Sequence, residues 1–485
     1  MLATILGSGV AMLDATVVNV ALATIGRDLQ VGFSGLQWTL NSYTLTLAAL
    51  ILLGGSLGDR YGRRRVFLIG VVWFAVASLL CGLAWNIEVL VASRALQGVG
   101  GALLTPGSLA LISSTFDPRD RGAAVGAWAG LGGVAGALGP FVGGWLVEAV
   151  SWRAVFLVNL PLAALVVWVS VRHVPESRDT GLDDTELDDT ELDHAVPPLD
   201  YLGALLAAVG LAGLTYALIS SSWPGAVVGV VTLVIFVLTE RRSRHPLVPL
   251  ALFASRLFVA ANLVTLVVYA AISCVLFLLV LQLQVVGGFS PLAAGAATLP
   301  VTALMLLLSS GSGRLAQRTG PRLPMTVGPL VAAGGLLLML RVGPSTSYVA
   351  DVLPAVAVFG LGLATMVAPL TATVLGAAPA HLAGTASGVN NAVARTAGLL
   401  AVAALPVLAG ITGDAYTDAA VFNPGFHTAT TIAAGLLVAG AVVALTLVRN
   451  PVQPDPLETD SAATHHTPDL TPGLHCPIVT PEPGR

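Results

Sequence analysis

The sequence predicts an all-α membrane protein with fourteen transmembrane helices. Of its 485 residues, 55% are hydrophobic and 10% are charged, whereas soluble domains carry about 25% charged residues. A helix needs roughly 20 apolar residues to cross a bilayer, and fourteen such stretches follow one another along the chain. The 53 glycines lie mainly inside them, as in membrane helices that pack closely. This composition excludes a soluble globular protein.

The apolar stretches fall into two groups of six and a central pair. The predicted spans are 2–22, 38–58, 66–85, 88–112, 123–147, 153–172, 201–221, 224–240, 257–284, 293–316, 323–341, 347–371, 385–409 and 428–448. We therefore expect a six-helix bundle over residues 1–172, an acidic cytoplasmic linker over 173–199 and two additional helices within 200–240. A second six-helix bundle follows over 241–449, and a disordered cytoplasmic tail occupies 450–485.

The linker and the tail differ from the rest in composition. The linker repeats Asp-Asp-Thr-Glu-Leu at 183–187 and 188–192, which is typical of a solvated connector. The tail histidines His465, His466 and His475 lack the regular spacing of metal ligands. The three cysteines are scattered, so neither a metal site nor a disulfide is predicted. No cofactor is implied.

The arginines indicate how the chain is oriented. All 22 basic residues are arginine; with a cytoplasmic N-terminus, seventeen lie inside, three lie outside, and Arg94 and Arg395 lie within spans. This bias predicts a multi-pass protein of the cytoplasmic membrane with both termini in the cytoplasm. The first apolar stretch lacks a basic start and contains Asp14, so a cleaved signal peptide is not expected.

Residues 55–65, after the second span, combine glycines with charge. The residues that matter are Gly55, Asp59, Arg60, Gly62 and Arg63. We interpret the segment as a tight two-glycine turn at the cytoplasmic face, in which Asp59 accepts hydrogen bonds and latches one conformation. The alternative is a basic loop that only serves the orientation. The segment resembles the signature loop of the major facilitator superfamily, and residues 311–322 form a degenerate echo without the acid, as expected of a repeated fold.

The fifth span is dense in glycine. Its central residues are Gly136, Gly139, Pro140, Gly143 and Gly144. Glycines allow close helix approach and proline allows bending, so the segment is either a sliding hinge or a plain packing face. Residues 139–144 resemble the motif that marks antiporters in the superfamily, although Ala135 stands where that family usually has glycine.

Two charges lie within predicted spans of the first half. Asp14 is costly in a membrane helix and is therefore a functional candidate. Residues 13–22 resemble the first-span signature of the fourteen-span drug:proton antiporters, with Ala23 in place of the usual proline, and residues 94–101 resemble the pattern in which a buried arginine is linked to proton transfer. At 1.5 Å per residue, Asp14 lies about 12 Å and Arg94 about 9 Å from the outer ends of their spans. Facing helices would pair them.

The pair has two interpretations. It is either a structural ion pair or a proton-coupling site in which protonation of Asp14 breaks the pairing. Burial opposes ionisation of a carboxyl group and a nearby cation favours it.

The resemblance to the fourteen-span drug:proton antiporters covers most of residues 1–410. It includes Gln37, Asn159 and Arg395.

Polar residues inside spans are candidates for a substrate cavity or, singly, for helix–helix hydrogen bonds. The candidates are Asn19, Asn41, Tyr43, Gln97, Gln284, Asn390 and Asn391. Asp14 is the only acid placed well inside a span, so cationic compounds are not favoured over neutral ones.

The resemblance implies a major facilitator fold that acts as a proton-driven antiporter exporting drugs, antibiotics or the cell's own metabolites. The expected partners are a small molecule, protons and lipid, without nucleic acid, and the expected state is a monomer. The alternatives are a symporter or uniporter for a nutrient and a non-transporting membrane sensor. An enzyme is not expected, because the sequence offers no nucleophile, metal or cofactor constellation.

Overall fold

The computed structural model describes residues 1–115, 121–176, 199–243, 246–379 and 382–450, with side chains described outside 113–127 and 129. This part of the chain contains helices and no strands, and fourteen helices are long and apolar enough to cross a membrane. The predicted all-α class and span count are confirmed. The predicted disordered linker and tail lie almost wholly outside the described residues.

The helices are numbered α1 to α14 in chain order. They are α1 Leu2–Leu29, α2 Phe33–Tyr61, α3 Arg63–Gly82, α4 Ile87–Thr115, α5 Arg121–Ala149, α6 Ala154–His173, α7 Tyr201–Ser220, α8 Trp223–Arg242, α9 Arg256–Val285, α10 Pro291–Thr319, α11 Arg322–Arg341, α12 Tyr348–Gly376, α13 Ala383–Leu408 and α14 Ala419–Leu447. Short interruptions divide α6 near Val158 and α10 near Ala297.

Several helices extend beyond the predicted apolar runs. Helix α1 continues seven residues past the predicted end at position 22 and stops at Leu29, followed by Gln30 in the left-handed region with φ 52°. Arg27 Nε donates to Ala23 O at 3.3 Å within this last part. Hydropathy falls where polar side chains begin, whereas backbone hydrogen bonding continues for a further two turns.

The segment predicted as a two-glycine turn is mostly helical. Gly55 and Gly58 lie within α2, and only Gly62, with φ 105°, separates α2 from α3. The prediction of a loop over residues 55–65 is therefore wrong in extent, because only one residue with positive φ is needed to reverse the chain. The echo has the same construction: Gly320, with φ 82°, lies between α10 and α11.

We call α1–α6 the N-half and α9–α14 the C-half. In the N-half α4 packs against α2 and α3, and in the C-half α12 packs against α10 and α11. The intervening α7 contacts both α2 and α13, while α8 packs on α7. Leu211 of α7 lies in one buried cluster with Ala48 of the N-half and Leu399 of the C-half.

The two halves are joined at the end opposite Gly62, which we call the far end. Gln37 Nε2 donates to Val402 O at 2.7 Å, and Phe33 N donates to Gly413 O at 2.7 Å. Tyr416 Oη donates to Val31 O at 2.7 Å. Burial and the nearby Asp414 raise the pKa of Tyr416, with Arg27 acting in the opposite direction, so this hydroxyl stays a donor.

Within the described residues, every hydrogen bond between the halves lies at the far end. One more of these runs from Gln284 Nε2 to Val20 O at 3.0 Å. The described structure is therefore a conformation closed at that end.

Candidate functional site

Asp14 lies at the centre of a buried hydrogen-bond network. Its side chain is 0% exposed, and Arg94 Nη1 donates to Asp14 Oδ2 at 2.6 Å. Gln97 Nε2 and Asn159 Nδ2 each donate to Asp14 Oδ1 at 2.8 Å. The carboxylate thus accepts three hydrogen bonds, one of them from a guanidinium. This saturation offsets the cost of burying the charge, which is large for an unpaired ion.

Arg94 has partners other than Asp14. Its Nη1 also donates to Gln97 Oε1 at 2.5 Å, and its Nε donates to Thr39 O at 3.1 Å. The guanidinium carbon lies 4.4 Å from the centre of the Tyr43 ring, within the range of a cation–π interaction. Arg94 therefore has hydrogen-bond and stacking partners besides the carboxylate of Asp14.

Close helix packing brings these side chains together. A methyl group on Gly100 would lie 2.7 Å from Phe74 N of α3, so α3 and α4 approach at backbone distance. This approach lets Ser78 of α3 accept from Gln97 Nε2 at 2.6 Å and from Asn159 Nδ2 at 3.0 Å. Four helices, α1, α3, α4 and α6, meet at one carboxylate.

The glycines of α5 lie between the two halves. A Cβ at Gly143 would lie 3.0 Å from Val17 O of α1, whereas a Cβ at Gly144 would lie 2.5 Å from Leu292 Cα of α10. Thr16 Oγ1 donates to Gly136 O at 3.1 Å, two residues from Asp14 along α1. One face of α5 thus packs on the helix that carries the carboxylate, and another face packs on the C-half.

The predicted latch residues lie near the surface at the end marked by Gly62. Asp59 Oδ1 pairs with Arg63 Nη2 at 2.9 Å, and the Asp59 side chain is 50% exposed. Glu176, inside the predicted linker, accepts from Arg64 N at 3.0 Å. Gly55 lies within α2, and Arg60 lies near the Tyr61 ring. The pairing of Asp59 is within its own half in this conformation.

A family model described as Major Facilitator Superfamily matches residues 4–402, which include the Asp14 network, the α5 glycines and Arg63. This chain belongs to the major facilitator superfamily. Membership covers far more than half of the sequence, so it applies to the fold and to both halves.

Two relatives and one solved structure are similar to this chain. Puromycin resistance protein pur8 of Streptomyces alboniger is 36% identical over 463 residues, covering 90% of this chain and 88% of that protein. The tetracenomycin C resistance and export protein of Streptomyces glaucescens is 34% identical and covers 86% and 77%, respectively. A POT family transporter in complex with a thioalcohol conjugated peptide has a TM-score of 0.66 at 14% identity, covering 91% and 94%. That structure shows the fold alone.

The superfamily member described here is a multi-pass membrane transporter of small molecules and not an enzyme. Its candidate cavity residues fall into two groups. Gln97 and Tyr43 are buried in the Asp14 network and contact Arg94. The others lie at helix contacts or are partly open: Gln284 bonds to α1, Asn390 Nδ2 donates to Thr265 Oγ1 at 2.8 Å, Asn391 Nδ2 donates to Ser387 O at 3.2 Å, Asn41 is buried and Asn19 is half-buried.

Three polar residues at buried positions were not identified as site residues from the sequence. Asn159 and Ser78 complete the network around Asp14. Asn159 was noted only as part of the family resemblance, and the sequence signal of Ser78 is an isolated polar residue in an apolar run. Glu240, 3% exposed near the end of α8, accepts from Val248 N at 3.1 Å. It is a second buried acid, remote from the Asp14 network.

Proposed function

We propose that this transporter is a proton-driven antiporter that exports small molecules across the cytoplasmic membrane as a monomer with both termini in the cytoplasm. The observation that carries the proposal is the buried pair of Asp14, near the middle of α1, and Arg94, in the first third of α4, whose side-chain atoms are 2.6 Å apart. An ionisable residue at this depth is expensive and marks proton or substrate pathways.

Protonation of Asp14 changes the network without destroying it. The neutral carboxyl loses its attraction for Arg94, while Arg94 keeps Gln97 Oε1, Thr39 O and the Tyr43 ring as partners. The network therefore has two hydrogen-bonded states that differ by one proton. A ligand that differs in affinity for two conformations shifts their populations, and here the proton is that ligand.

The change at Asp14 has a short route to the other half. Thr16 bonds to Gly136 of α5 at 3.1 Å, and α5 packs on α10 of the C-half through Gly144. A displacement of α1 thus reaches the contact that holds the far end closed. Alternating access then follows from rocking of the two halves about the central cavity.

The direction of transport is supported by the relatives, which are named for resistance and export. The described conformation is closed at the far end, which the arginine distribution assigns to the outside. Compounds would therefore enter the cavity from the cytoplasm in this state.

Everted membrane vesicles that contain the wild-type protein test the proposal. A panel of drugs that includes puromycin and tetracenomycin C is added under an imposed pH gradient, while an interior pH dye is followed. We expect at least one compound to accumulate inside with simultaneous proton release, and a protonophore to abolish both. Accumulation that ignores the protonophore, or proton and compound moving in the same direction, would contradict antiport.

Replacement of Asp59 by asparagine is expected to slow turnover several-fold and leave substrate affinity unchanged. Its pair with Arg63 is exposed, so the pair itself contributes only about 0.3–0.5 kcal/mol to stability. We propose that Asp59 makes a further contact in the conformation in which the two halves close at the end marked by Gly62. Transport rates and equilibrium binding are measured side by side, with Glu88→Gln, an exposed acid at the far end, as the control. Turnover equal to that of the wild type would contradict the proposed latch role of Asp59.

A further inference from the structure

Arg395 is a cation in the middle of α13 that the Asp14 network does not use. It is the thirteenth of 26 residues in the helix, so about 18 Å of helix lies on either side of it. Its side chain is half-buried. Among the described residues, Arg395 has no carboxylate within ion-pair distance, whereas Arg94 of α4 has one. An unpaired guanidinium at mid-membrane is costly and calls for a partner.

The position of Arg395 between the two halves follows from the contacts of α13 with α2. Toward Gly62, a Cβ at Gly388 would lie 2.8 Å from Leu52 Cδ2. Toward the far end, Val402 O accepts from Gln37. Arg395 is seven residues from each of Gly388 and Val402, so two full helical turns in either direction bring the same face of α13 back to α2. Arg395 therefore lies at the interface of the halves, midway along it.

Two tyrosines lie within electrostatic range of Arg395, namely Tyr43 of α2 in the N-half and Tyr269 of α9 in the C-half. Helix α13 packs against both α2 and α9. The guanidinium thus lies among helices of both halves, where rocking of the halves opens the cavity.

The charges inside the described spans do not cancel. Asp14 and Arg94 neutralise each other in a 0–1% exposed pair, and Arg395 of α13 adds one positive charge without a carboxylate partner. Tyr43 is close to both cations, because its ring lies over Arg94 and its hydroxyl is within electrostatic range of Arg395. The interface of the halves around Arg395 therefore carries a net positive charge.

We propose that Arg395 binds an anionic oxygen of the transported compound, such as a carboxylate, sulfonate or phenolate, between Tyr43 and Tyr269. The inference rests on the proposed transport function and narrows its substrate class. The planar guanidinium matches such groups with two parallel hydrogen bonds. Because Asp14 is enclosed by its own donors, the proton and the anion occupy separate groups, and their coupling proceeds through helix movement.

Two dyes with the same xanthene skeleton test the assignment: fluorescein, which is anionic, and rhodamine 123, which is cationic. Binding to the purified full-length protein is measured by fluorescence anisotropy, without a pH gradient. We expect the wild type to bind fluorescein more tightly than rhodamine 123. Arg395→Gln is expected to weaken the binding of fluorescein about tenfold or more, as for loss of a hydrogen bond to a charged group. It is expected to leave the affinity for rhodamine 123 unchanged or to increase it.

Two further variants control for folding and for bulk charge. Arg395→Lys keeps the charge and is expected to retain part of the fluorescein affinity. Arg256→Gln removes the same charge from an exposed position at the start of α9 and is expected to change nothing. Failure of the wild type to prefer fluorescein, or equal losses for both dyes in Arg395→Gln, would overturn the proposal.

The source of the anion and the dependence on transport are separated by two more measurements. Binding is repeated in buffers with and without chloride; complete displacement of fluorescein by chloride would indicate a site for inorganic anions and overturn the substrate assignment. Arg395→Gln is also expected to keep proton release in everted vesicles for a neutral compound. Absence of a dye preference in the wild type, together with intact proton release, would count against the role of Arg395 alone and leave the proposed antiport standing.

Discussion

Replacing Asp14 by asparagine is expected to reduce proton-driven export to the level of empty vesicles while the protein still inserts and binds substrate. Asparagine fits the same space, and its oxygen accepts from Arg94 or Gln97 as the carboxylate does at 2.6 and 2.8 Å. It mimics the protonated state permanently, so the network loses the proton that distinguishes its two states. Export under an imposed pH gradient, together with the pH dependence of substrate binding, measures the effect.

The chain offers a matched control on the same helix. Asp28 lies near the end of α1, is 53% exposed and accepts from Trp152 Nε1 at 2.7 Å. Asp28→Asn removes the same charge at the membrane surface and is expected to keep most of the export rate. Wild-type export by Asp14→Asn would defeat the coupling mechanism. Asp14→Ala leaves Arg94 buried without its carboxylate and is expected to cost roughly 3–5 kcal/mol in stability.

Replacing Gly144 by alanine is expected to weaken closure of the far end and to slow transport strongly. The added methyl group would lie 2.5 Å from Leu292 Cα and 2.6 Å from Pro291 O, and backbone atoms cannot move aside as a flexible side chain does. Overpacking of this kind typically costs ~1–3 kcal/mol, which corresponds to about a 5- to 150-fold shift between two conformations. The variant should therefore populate the conformation that is open at the far end.

Spin labels on exposed positions of the two halves measure this shift. Cysteines at Val150 and Val349, which are 67% and 69% exposed, report the separation of the halves at the far end by double electron–electron resonance. Gly130→Ala is the control on the same helix, because a Cβ there meets nothing within 4 Å. A distance distribution identical to wild type in Gly144→Ala would show that α5 and α10 do not hold the far end closed.

The sequence predicts the number of helices because apolar runs of about 20 residues define spans. It also predicts that Asp14 pairs with Arg94, and their side chains lie 2.6 Å apart. The similar depths from which this pairing was argued are wrong, because Asp14 lies fifteen residues before the end of α1 at Leu29 whereas Arg94 lies seven residues after the start of α4 at Ile87. The similarity between residues 55–65 and residues 311–322 was recognisable in the sequence because each chain reversal contains a glycine at positive φ, Gly62 and Gly320.

What the sequence does not reveal is which face of each helix meets which neighbour. In a soluble helix the apolar stripe identifies the buried face, but here lipid-facing and buried faces are both apolar. Asn159 and Ser78 thus gave no sign that they converge on Asp14 with Gln97, and Gln97 was assigned to the cavity. The helix ends were placed short because hydropathy decreases before the helix itself stops, as at Leu29.

Helix α7 forms one cluster with a helix of each half, through Leu211, Ala48 and Leu399. A rotation of one half against the other separates Ala48 from Leu399, so Leu211 must leave at least one of them. The free energy of the accessory hairpin α7–α8 consequently differs between the two ends of the transport cycle, and lipid fills whatever gap is left. The packing of the hairpin against the two halves therefore contributes to the equilibrium between the two conformations. It also makes that equilibrium sensitive to the thickness of the bilayer.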